Sequence, residues 1–195
     1  MTEEHTNTAP PTRRAVPMWA QIIIWVILVG LLVLVGLGLR KAQNPIISIG
    51  STVPDFTLTT FDGYAYQGNP EIQLSELAGK VVVINFWASW CKPCEQEAAE
   101  LEEAWRSYEN DDQVVFLGIA WTDTPSNSAD YLERFEITYP NGPDLGSRIS
   151  AIFNRNLGVP ETYFIDRSGV LRQVKIGPFT SVREIQAITD ALLAE

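Results

Sequence analysis

Residues 81–98 read VVVINFWASWCKPCEQEA, and this stretch contains the strand-to-helix junction that decides the fold. The apolar, β-branched run at 81–87 is typical of a central strand that is covered on both faces. A helical pattern begins near Pro93, and proline suits the first turn of a helix because no N–H is needed there. The two cysteines of the chain, Cys91 and Cys94, lie at this junction. The sequence therefore predicts a pair of thiols between a buried strand and a helix.

Helical spacing separates the roles of the two cysteines. Four apolar positions of the helix predicted at about 93–108 share one face with Cys94: Ala98, Leu101, Trp105 and Tyr108. Cys94 is therefore expected to point into the domain. Cys91 is expected at the exposed tip, where the free N–H groups and the dipole of the helix favour a thiolate. The sequence predicts that Cys91 attacks a disulfide and that Cys94 resolves the mixed disulfide.

Composition leaves the cysteines as the main candidates for chemistry. The chain has 195 residues, two cysteines and one histidine, His5, which lies in a polar N-terminal tail. One histidine excludes a Ser-His-Asp triad in the folded region, and two cysteines without further ligands do not make a zinc site. A disulfide that only staples the loop is disfavoured, because closing so short a loop restricts the unfolded chain little. We therefore expect a redox-active Cys91–Cys94 disulfide, with no bound cofactor and no metal.

Glu97 lies one turn beyond Cys94, at the border of the apolar face. A partly buried carboxylate there would have a raised pKa and could exchange protons with Cys94. A solvated helix glutamate is the alternative, because the same helix contains four more glutamates: Glu95, Glu100, Glu102 and Glu103. Of these, Glu100 and Glu103 are expected to face away from the domain.

The pattern around this junction predicts one α/β domain. A second buried strand is predicted at 114–120, so the two strands should form a parallel pair with a right-handed crossover. Further strands are predicted at 56–59, 162–165 and 170–174, and further helices near 128–135, 148–153 and 182–193. Ser181 is expected to cap the last helix, with Glu184 completing a capping box. This order predicts a mixed central sheet flanked by helices.

The N-terminal part of the chain is of a different kind. Residues 1–17 are polar and contain three prolines, which predicts a disordered cytoplasmic tail. Residues 18–39 are almost wholly apolar, and at ~1.5 Å per residue they reach across a hydrocarbon core of ~30 Å. The run is longer than the apolar core of a cleaved signal peptide. The sequence therefore predicts a transmembrane anchor at 18–39, a linker at 40–53 and the folded domain at 54–195.

Charge is divided unevenly between these regions. The chain has a formal net charge of −10, from 14 basic and 24 acidic residues. The basic residues Arg13, Arg14, Arg40 and Lys41 lie in the N-terminal part, so the acidic excess falls on the folded domain. Such a domain does not neutralise phosphates, which argues against sequence-independent nucleic-acid binding. Two basic residues lie on each side of the apolar run, so the positive-inside rule does not orient it.

Three motifs together resemble one family. Residues 87–97, Trp-Ala-Ser-Trp-Cys-Lys-Pro-Cys-Glu-Gln-Glu, resemble the active-site strand and helix of the thioredoxin superfamily. More narrowly, they resemble the membrane-anchored TlpA/ResA/DsbE(CcmG)-like thiol-disulfide oxidoreductases of that superfamily. Glu97 matches the glutamate that this group has in the active-site helix. Residues 53–58 resemble the entry strand of that group. Residues 158–166, Gly-Val-Pro-Glu-Thr-Tyr-Phe-Ile-Asp, resemble the segment with its cis-proline. The resemblance covers about 50–190.

The resemblance implies a thioredoxin-like α/β fold with an N-terminal β-hairpin extension, preceded by one transmembrane helix. It implies that Glu97 joins Cys91 and Cys94 as a catalytic residue, and that Pro160 is cis and faces Cys91. The substrate groove would contain Trp90, Lys92, Pro93, Val159, Pro160 and Glu161. Alternatives remain open for three of these: a packing role for Trp90, a trans bond at Pro160 and a solvated position for Glu161.

The sequence departs from the family pattern at two places. Ala99 stands where a proline often kinks the helix. The buried aspartate of thioredoxin has no counterpart that can be placed, because the strand reads Val-Ile-Asn-Phe at 83–86. Proton transfer is therefore expected to depend on Glu97 alone.

The resemblance also implies a function outside the cytoplasm. The protein would be a single-pass membrane protein that reduces disulfides in partner proteins, namely apocytochromes c during cytochrome c maturation. A membrane electron donor would restore the dithiol. A dithiol oxidant or general disulfide exchange protein is one alternative, because direction depends on potential. A thiol peroxidase is disfavoured, because Ala88 stands where threonine would be needed. A non-enzymatic, membrane-tethered binding module is the remaining alternative.

Overall fold

The computed structural model describes residues 17–42, 47–155 and 158–195, which belong to two units. The first unit contains one helix, α1, at Met18–Ala42. The residues of its window Met18–Val35 are not buried, and by length and composition this helix could cross a membrane. The predicted anchor at 18–39 is thus helical, and the helix continues three residues further. The predicted disordered tail lies outside the described residues, apart from Pro17.

The second unit is an α/β domain. Its strands are β1 (Thr57–Thr59), β2 (Glu71–Gln73), β3 (Val81–Trp87), β4 (Val114–Ala120), β5 (Asn141–Pro143), β6 (Glu161–Ile165) and β7 (Leu171–Ile176). Its helices are α2 (Lys92–Tyr108), α3 (Pro125–Arg134), α4 (Arg148–Ile152) and α5 (Val182–Leu193), with short 3-10 turns at Leu74–Leu77 and Leu145–Ser147.

One mixed sheet forms the centre of this domain. Its strand order is β5-β4-β3-β6-β7, with β3, β4 and β5 parallel and β6 and β7 antiparallel to their neighbours. Alternate residues of β3 enter two apolar clusters: Val83 packs with α2, α3 and α5, and Ile84 packs with β1, β2 and α4. Both faces are therefore covered, as the apolar run of β3 predicts. The predicted fold class is confirmed.

Three local features differ from the sequence-based expectations. The edge strand β5 escaped prediction because Asn-Gly-Pro has no strand pattern. Helix α3 begins at Pro125 rather than at 128, because Thr124 caps it by accepting from the Asn127 N–H at 3.4 Å. The predicted capping box of α5 is wrong: Ser181 accepts from the Arg183 N–H, and the Glu184 carboxylate accepts from Lys175 instead.

The domain begins earlier than residue 54. The Gly50 N–H donates to the Leu171 carbonyl at 2.7 Å, and the Val53 N–H donates to the Gly169 carbonyl at 2.9 Å. The side chain of Ile47 packs against an apolar cluster of the domain. The described part of the predicted linker, from 47 onward, is thus tied to the β6–β7 hairpin.

Gly142 in β5 is the point where the N-terminal hairpin meets the sheet edge. A Cβ atom there would lie 2.2 Å from the Thr59 carbonyl oxygen. Beside this contact, the Phe61 N–H donates to the Asn141 carbonyl at 2.8 Å. Two backbones approach so closely here that only glycine fits.

We expect Gly142→Ala to lower the free energy of unfolding by ~1–3 kcal/mol, the usual cost of overpacking, because the backbone of β1 must move. Urea midpoints of the full-length protein in detergent measure this. Thr57→Ala, at an exposed position of β1, is the control and should stay within ~0.5 kcal/mol of the wild type. Equal midpoints for Gly142→Ala and the wild type would contradict the close approach.

Candidate active site

The two cysteines form a disulfide at the carboxyl end of β3. Cys91 is the N-cap residue of α2, and its Sγ accepts a hydrogen bond from the Cys94 backbone N–H at 3.1 Å. Pro93 occupies the first turn, as predicted. The free N–H groups and the dipole of a helix N-terminus stabilise negative charge on a capping atom. After reduction, Cys91 is therefore the cysteine whose thiolate the helix stabilises.

The predicted exposure of Cys91 is wrong. Cys91 is 3% exposed and Cys94 is 1% exposed. Both belong to the apolar cluster that contains Trp87 and Ala88, and the half-buried Val159 packs against that cluster. Helical spacing assigns a residue to one face of its own helix, but it does not show which other segments cover that face.

Glu97 is a buried carboxylate, and the alternative of a solvated glutamate is wrong. The residue is 1% exposed. Its Oε1 accepts a hydrogen bond from Asn85 Nδ2 at 2.8 Å, and its Oε2 accepts one from the Phe179 backbone N–H at 3.0 Å. Burial raises the pKa of Glu97 from the usual 4.5 to about 7 and outweighs these hydrogen bonds, which lower it. The carboxyl group can therefore take up and release a proton near neutral pH.

Asn85 is a site residue that sequence analysis missed. It is 3% exposed, and its Nδ2 donates both to Glu97 and to Thr162 Oγ1, the latter at 3.0 Å. The available signal was a polar side chain within the apolar run of β3, because a buried polar group needs a partner. Asn85 thus holds the Glu97 carboxylate in place, and the dependence of proton transfer on Glu97 stays a prediction.

The Val159–Pro160 peptide bond is cis, as the resemblance implies. Strand β6 is antiparallel to β3, with Glu161 opposite Phe86. Pro160 thus lies at the same edge of the sheet as the strand end that leads to Cys91. The register therefore brings the cis-proline and the disulfide to one edge of the sheet.

Glu161 is buried, so the alternative of a solvated loop residue is wrong. Its Oε2 accepts from Arg155 Nε at 2.6 Å and from the Tyr163 hydroxyl at 2.8 Å, and both side chains of the ion pair are 2% exposed. Arg155 also donates to the Gly158 carbonyl, and its guanidinium lies 4.2 Å from the centre of the Phe86 ring. The carboxylate thus holds the segment before the cis-proline, and a contact with substrate stays a prediction.

The buried carboxylates of Glu97 and Glu161 lie on opposite faces of the sheet. Thr162 is paired with Asn85, and both contact the Glu97 network on the α2 side. The neighbouring pair, Phe86 and Glu161, points to the other face because side chains alternate along a strand. Glu161 is therefore no second acid for the chemistry of Glu97.

Trp90 forms an exposed wall beside the disulfide. It is 57% exposed, its Nε1 donates to the Thr122 carbonyl at 3.2 Å, and its ring centre lies 6.2 Å from that of Trp121. Thr122 has a φ of 50°, which a β-branched residue rarely adopts. The next residue, Asp123, accepts from the N–H of Ser89 at 2.6 Å. Trp90 is thus held at one edge and exposed at the other, and its role in the substrate groove stays a prediction.

Lys92 is exposed and pairs with an acid of its own helix. Its Nζ lies 2.9 Å from Glu95 Oε2, and Arg134 Nη2 lies 2.7 Å from Glu95 Oε1. The hydrogen bond from Lys92, followed by that from Arg134, lowers the pKa of Glu95. The first acid of the helix is thus offset by two cations.

The site contains the parts that thiol–disulfide exchange requires. Within the described ranges, no group of three or more His, Cys, Asp or Glu side chains could hold a metal ion. The site instead combines two sulfur atoms, a helix N-terminus and a carboxyl group that titrates near neutral pH.

Known proteins share this sequence and fold. Residues 49–174 match the model of the AhpC/TSA family. The thiol-disulfide oxidoreductase ResA of Geobacillus kaustophilus is 32% identical over 138 residues, which cover 71% of this chain and 75% of ResA. The chain belongs to the AhpC/TSA family and is a thioredoxin-like thiol-disulfide oxidoreductase.

Two solved structures have the same fold. A putative protein disulfide isomerase from Bacteroides thetaiotaomicron has a TM-score of 0.65 at 27% identity, over 77% of this chain and 92% of that one. A putative thiol:disulfide interchange protein DsbE from Chlorobium tepidum has a TM-score of 0.63 at 22% identity, over 76% and 97%. The resemblance to the ResA and DsbE group is thereby confirmed.

We expect the oxidised protein to lose stability as pH rises from about 5 to about 8, because Glu97 must ionise while buried. Its pKa is higher in the folded state, so its stabilising contribution is complete below about 4.5 and is lost as pH rises through about 7. The loss is on the order of 3 kcal/mol. Chemical unfolding at several pH values measures it.

Glu97→Gln should lack this pH dependence. The slope is the readout, because glutamine cannot accept both hydrogen bonds and absolute stability will also change. Glu103→Gln, an exposed site on the same helix, should keep the slope of the wild type. The same slope in Glu97→Gln would contradict the buried titration.

Arg155→Met should lower the free energy of unfolding by ~3–5 kcal/mol, because it leaves Glu161 buried without its cation. The double variant Arg155→Met/Glu161→Gln should recover part of this loss, which a double-mutant cycle measures. Arg134→Met removes an exposed ion pair and should cost at most ~1 kcal/mol. Equal losses for the two arginine variants would contradict the role of the buried pair.

Proposed function

We propose that this protein is a single-pass membrane protein whose extracytoplasmic domain reduces disulfides in partner proteins, namely the Cys-x-x-Cys-His sites of apocytochromes c. One observation carries the proposal: the Cys91–Cys94 pair caps a helix, and the buried carboxyl group of Glu97, one turn away, has a pKa of about 7. A dithiol with such a base can give two electrons to a disulfide near neutral pH. The likeness to ResA supports the same chemistry.

The reductive reaction takes place in two exchanges. The Cys91 thiolate attacks one sulfur of the substrate disulfide, a mixed disulfide forms, and the other substrate sulfur leaves as a thiolate that takes a proton from water. Cys94 then gives its proton to Glu97 and attacks the sulfur of Cys91. The second substrate sulfur leaves and is protonated in turn. The protein is oxidised by two electrons, and the substrate is reduced by two.

The substrate segment would lie between Trp90 and the cis-proline. Pro160 has no N–H, and the backbone of Val159 is available to an extended chain, which such edges bind by main-chain hydrogen bonds. Lys92 and Pro93, both exposed at the start of α2, would form the adjoining rim. This arrangement supports recognition of a disulfide within an extended segment.

The apolar helix α1 supports membrane attachment. Its length and composition suit a membrane span. A tethered reductant is needed outside the cytoplasm, in an oxidising compartment that cytosolic thioredoxin does not reach. A membrane electron donor would return the Cys91–Cys94 disulfide to the dithiol after each cycle.

Cys94→Ser should accumulate a mixed disulfide between Cys91 and the substrate, because the thiol that resolves this intermediate is missing. Cys91→Ser should trap nothing and lose its reductase activity. Non-reducing electrophoresis of the full-length variants, followed by mass spectrometry of the adduct, measures both results. Peptides with Cys-x-x-Cys-His in the adduct would support the proposed substrate.

Different failures would overturn different parts of the proposal. Full biological activity of Cys91→Ser would overturn the redox mechanism and favour a membrane-tethered binding module. Adducts without the Cys-x-x-Cys-His motif would overturn the substrate assignment. A potential near about −120 mV rather than about −270 mV would make the protein an oxidant. A C-terminal reporter that is active only in the cytoplasm would reverse the orientation.

A further inference from the structure

A proton that reaches Glu97 needs a route out of the domain. The residue is 1% exposed, and its two oxygens accept hydrogen bonds from Asn85 and from the Phe179 backbone. Lys175 is a cation whose charge acts on Glu97, but it is already paired with Glu184 at 2.6 Å. A carboxyl group enclosed in this way has almost no direct contact with bulk water.

Glu100 lies one helical turn beyond Glu97 and does not face away as predicted. Glu100 is half-buried, and its Oε2 is buried without a hydrogen-bond partner among the residues that the structure describes. Glu103, a further turn along, is exposed. A buried carboxylate oxygen without a donor is costly, so its position calls for an explanation beyond packing.

A surface pocket of about 460 Å³ connects Glu100 with the segment that binds Glu97. Glu100 and Glu103 line it from α2, and the exposed residues Thr180 and Arg183 line it from the start of α5. Thr180 directly follows Phe179, whose N–H binds Glu97. The pocket thus reaches the residue next to the hydrogen bond of Glu97, with Glu100 between Glu97 and the pocket along α2.

We propose that Glu100 relays the proton between Glu97 and solvent while Cys94 resolves the mixed disulfide. This inference rests on the proposed function. Glu97 accepts the thiol proton of Cys94 and passes it to the carboxyl group of Glu100, which releases a proton to water or to a buffer base in the pocket. The relay moves one proton and no electrons, and neither carboxyl group gains or loses a proton over the whole cycle.

The charges around Glu97 agree with this order of transfer. The negative charge of Glu100 raises the pKa of Glu97, and the positive charge of Lys175 on β7 lowers it. Burial raises the pKa of two tyrosines well above 10, Tyr131 on α3 and Tyr139 before β5. The negative charge of Glu97 raises both pKa values further. Neither tyrosine gives up its proton near neutral pH, so neither can serve as the exit.

Glu100→Gln tests the relay, because glutamine keeps the shape of the side chain but cannot take up and release a proton. The full-length protein in detergent is mixed with a synthetic peptide that carries an intramolecular Cys-x-x-Cys-His disulfide. Acid quenching, alkylation and mass spectrometry then follow the decay of the mixed disulfide. We expect this decay to be about tenfold slower, below the ~10²–10⁴-fold that a positioned acid–base group contributes.

Chemical rescue separates a relay from a change in electrostatics. Added imidazole should restore the rate of Glu100→Gln and leave the wild type unchanged, because a small base can enter the pocket. From about pH 6 to about pH 9, Glu100→Gln should have a lower plateau rate, whereas a purely electrostatic effect would only move the midpoint. Glu103→Gln, in the same pocket, should match the wild type, and Glu100→Asp should keep part of the rate.

The outcomes separate this inference from the proposed function. A wild-type rate in Glu100→Gln, or a slow rate that imidazole does not rescue, would overturn the relay. Equal slowing in Glu103→Gln would overturn it too, because the effect would then not be specific to Glu100. If the wild type forms no mixed disulfide with the peptide, the proposed function fails on that substrate. If the wild type and Glu100→Gln both turn over the peptide at the same rate, only the relay is overturned and the proposed function stands.

Discussion

The buried carboxyl group of Glu97 is the constraint on which the rest of the site depends. Its two hydrogen bonds come from a central strand and from the segment before the last helix, through Asn85 and the Phe179 backbone. The helix that presents Cys94 is thereby tied to the sheet and to the C-terminal part of the domain. Burial raises the pKa of this carboxyl group from 4.5 to about 7. A group with such a pKa can exchange a proton with a thiol near neutral pH.

The two faces of the central sheet carry different buried charged groups. On the α2 side, Asn85 and the Phe179 backbone hold the carboxyl group of Glu97, whose pKa is about 7. On the opposite side, the ion pair of Arg155 and Glu161 fixes the segment before the cis-proline, with Phe86 packed beneath the guanidinium. The chemistry and the geometry of the groove are thus maintained by separate buried charges. The central sheet lies between Glu97 on one face and the Arg155–Glu161 ion pair on the other.

Local patterns predicted most of the elements, though not β5, and the place of the two cysteines between a strand and a helix, because strand and helix periodicity and the N-terminal proline act over a few residues. The cis bond at Pro160 came only from the resemblance, since spacing does not encode it. The burial of Cys91 could not be predicted, because it depends on segments that are distant in sequence. Arg155 is only six residues from Glu161, but it lies in a loop, where no periodicity shows which way a side chain points.

The burial of both sulfur atoms has a consequence for the surroundings of the protein. Thiol–disulfide exchange needs in-line access to sulfur, and Cys91 exposes only 3% of its surface. Small thiols and oxidants that diffuse through the same compartment therefore collide mostly with Trp90 and the adjoining rim. Restricted access, and not potential alone, therefore limits how fast small thiols in solution react with this disulfide.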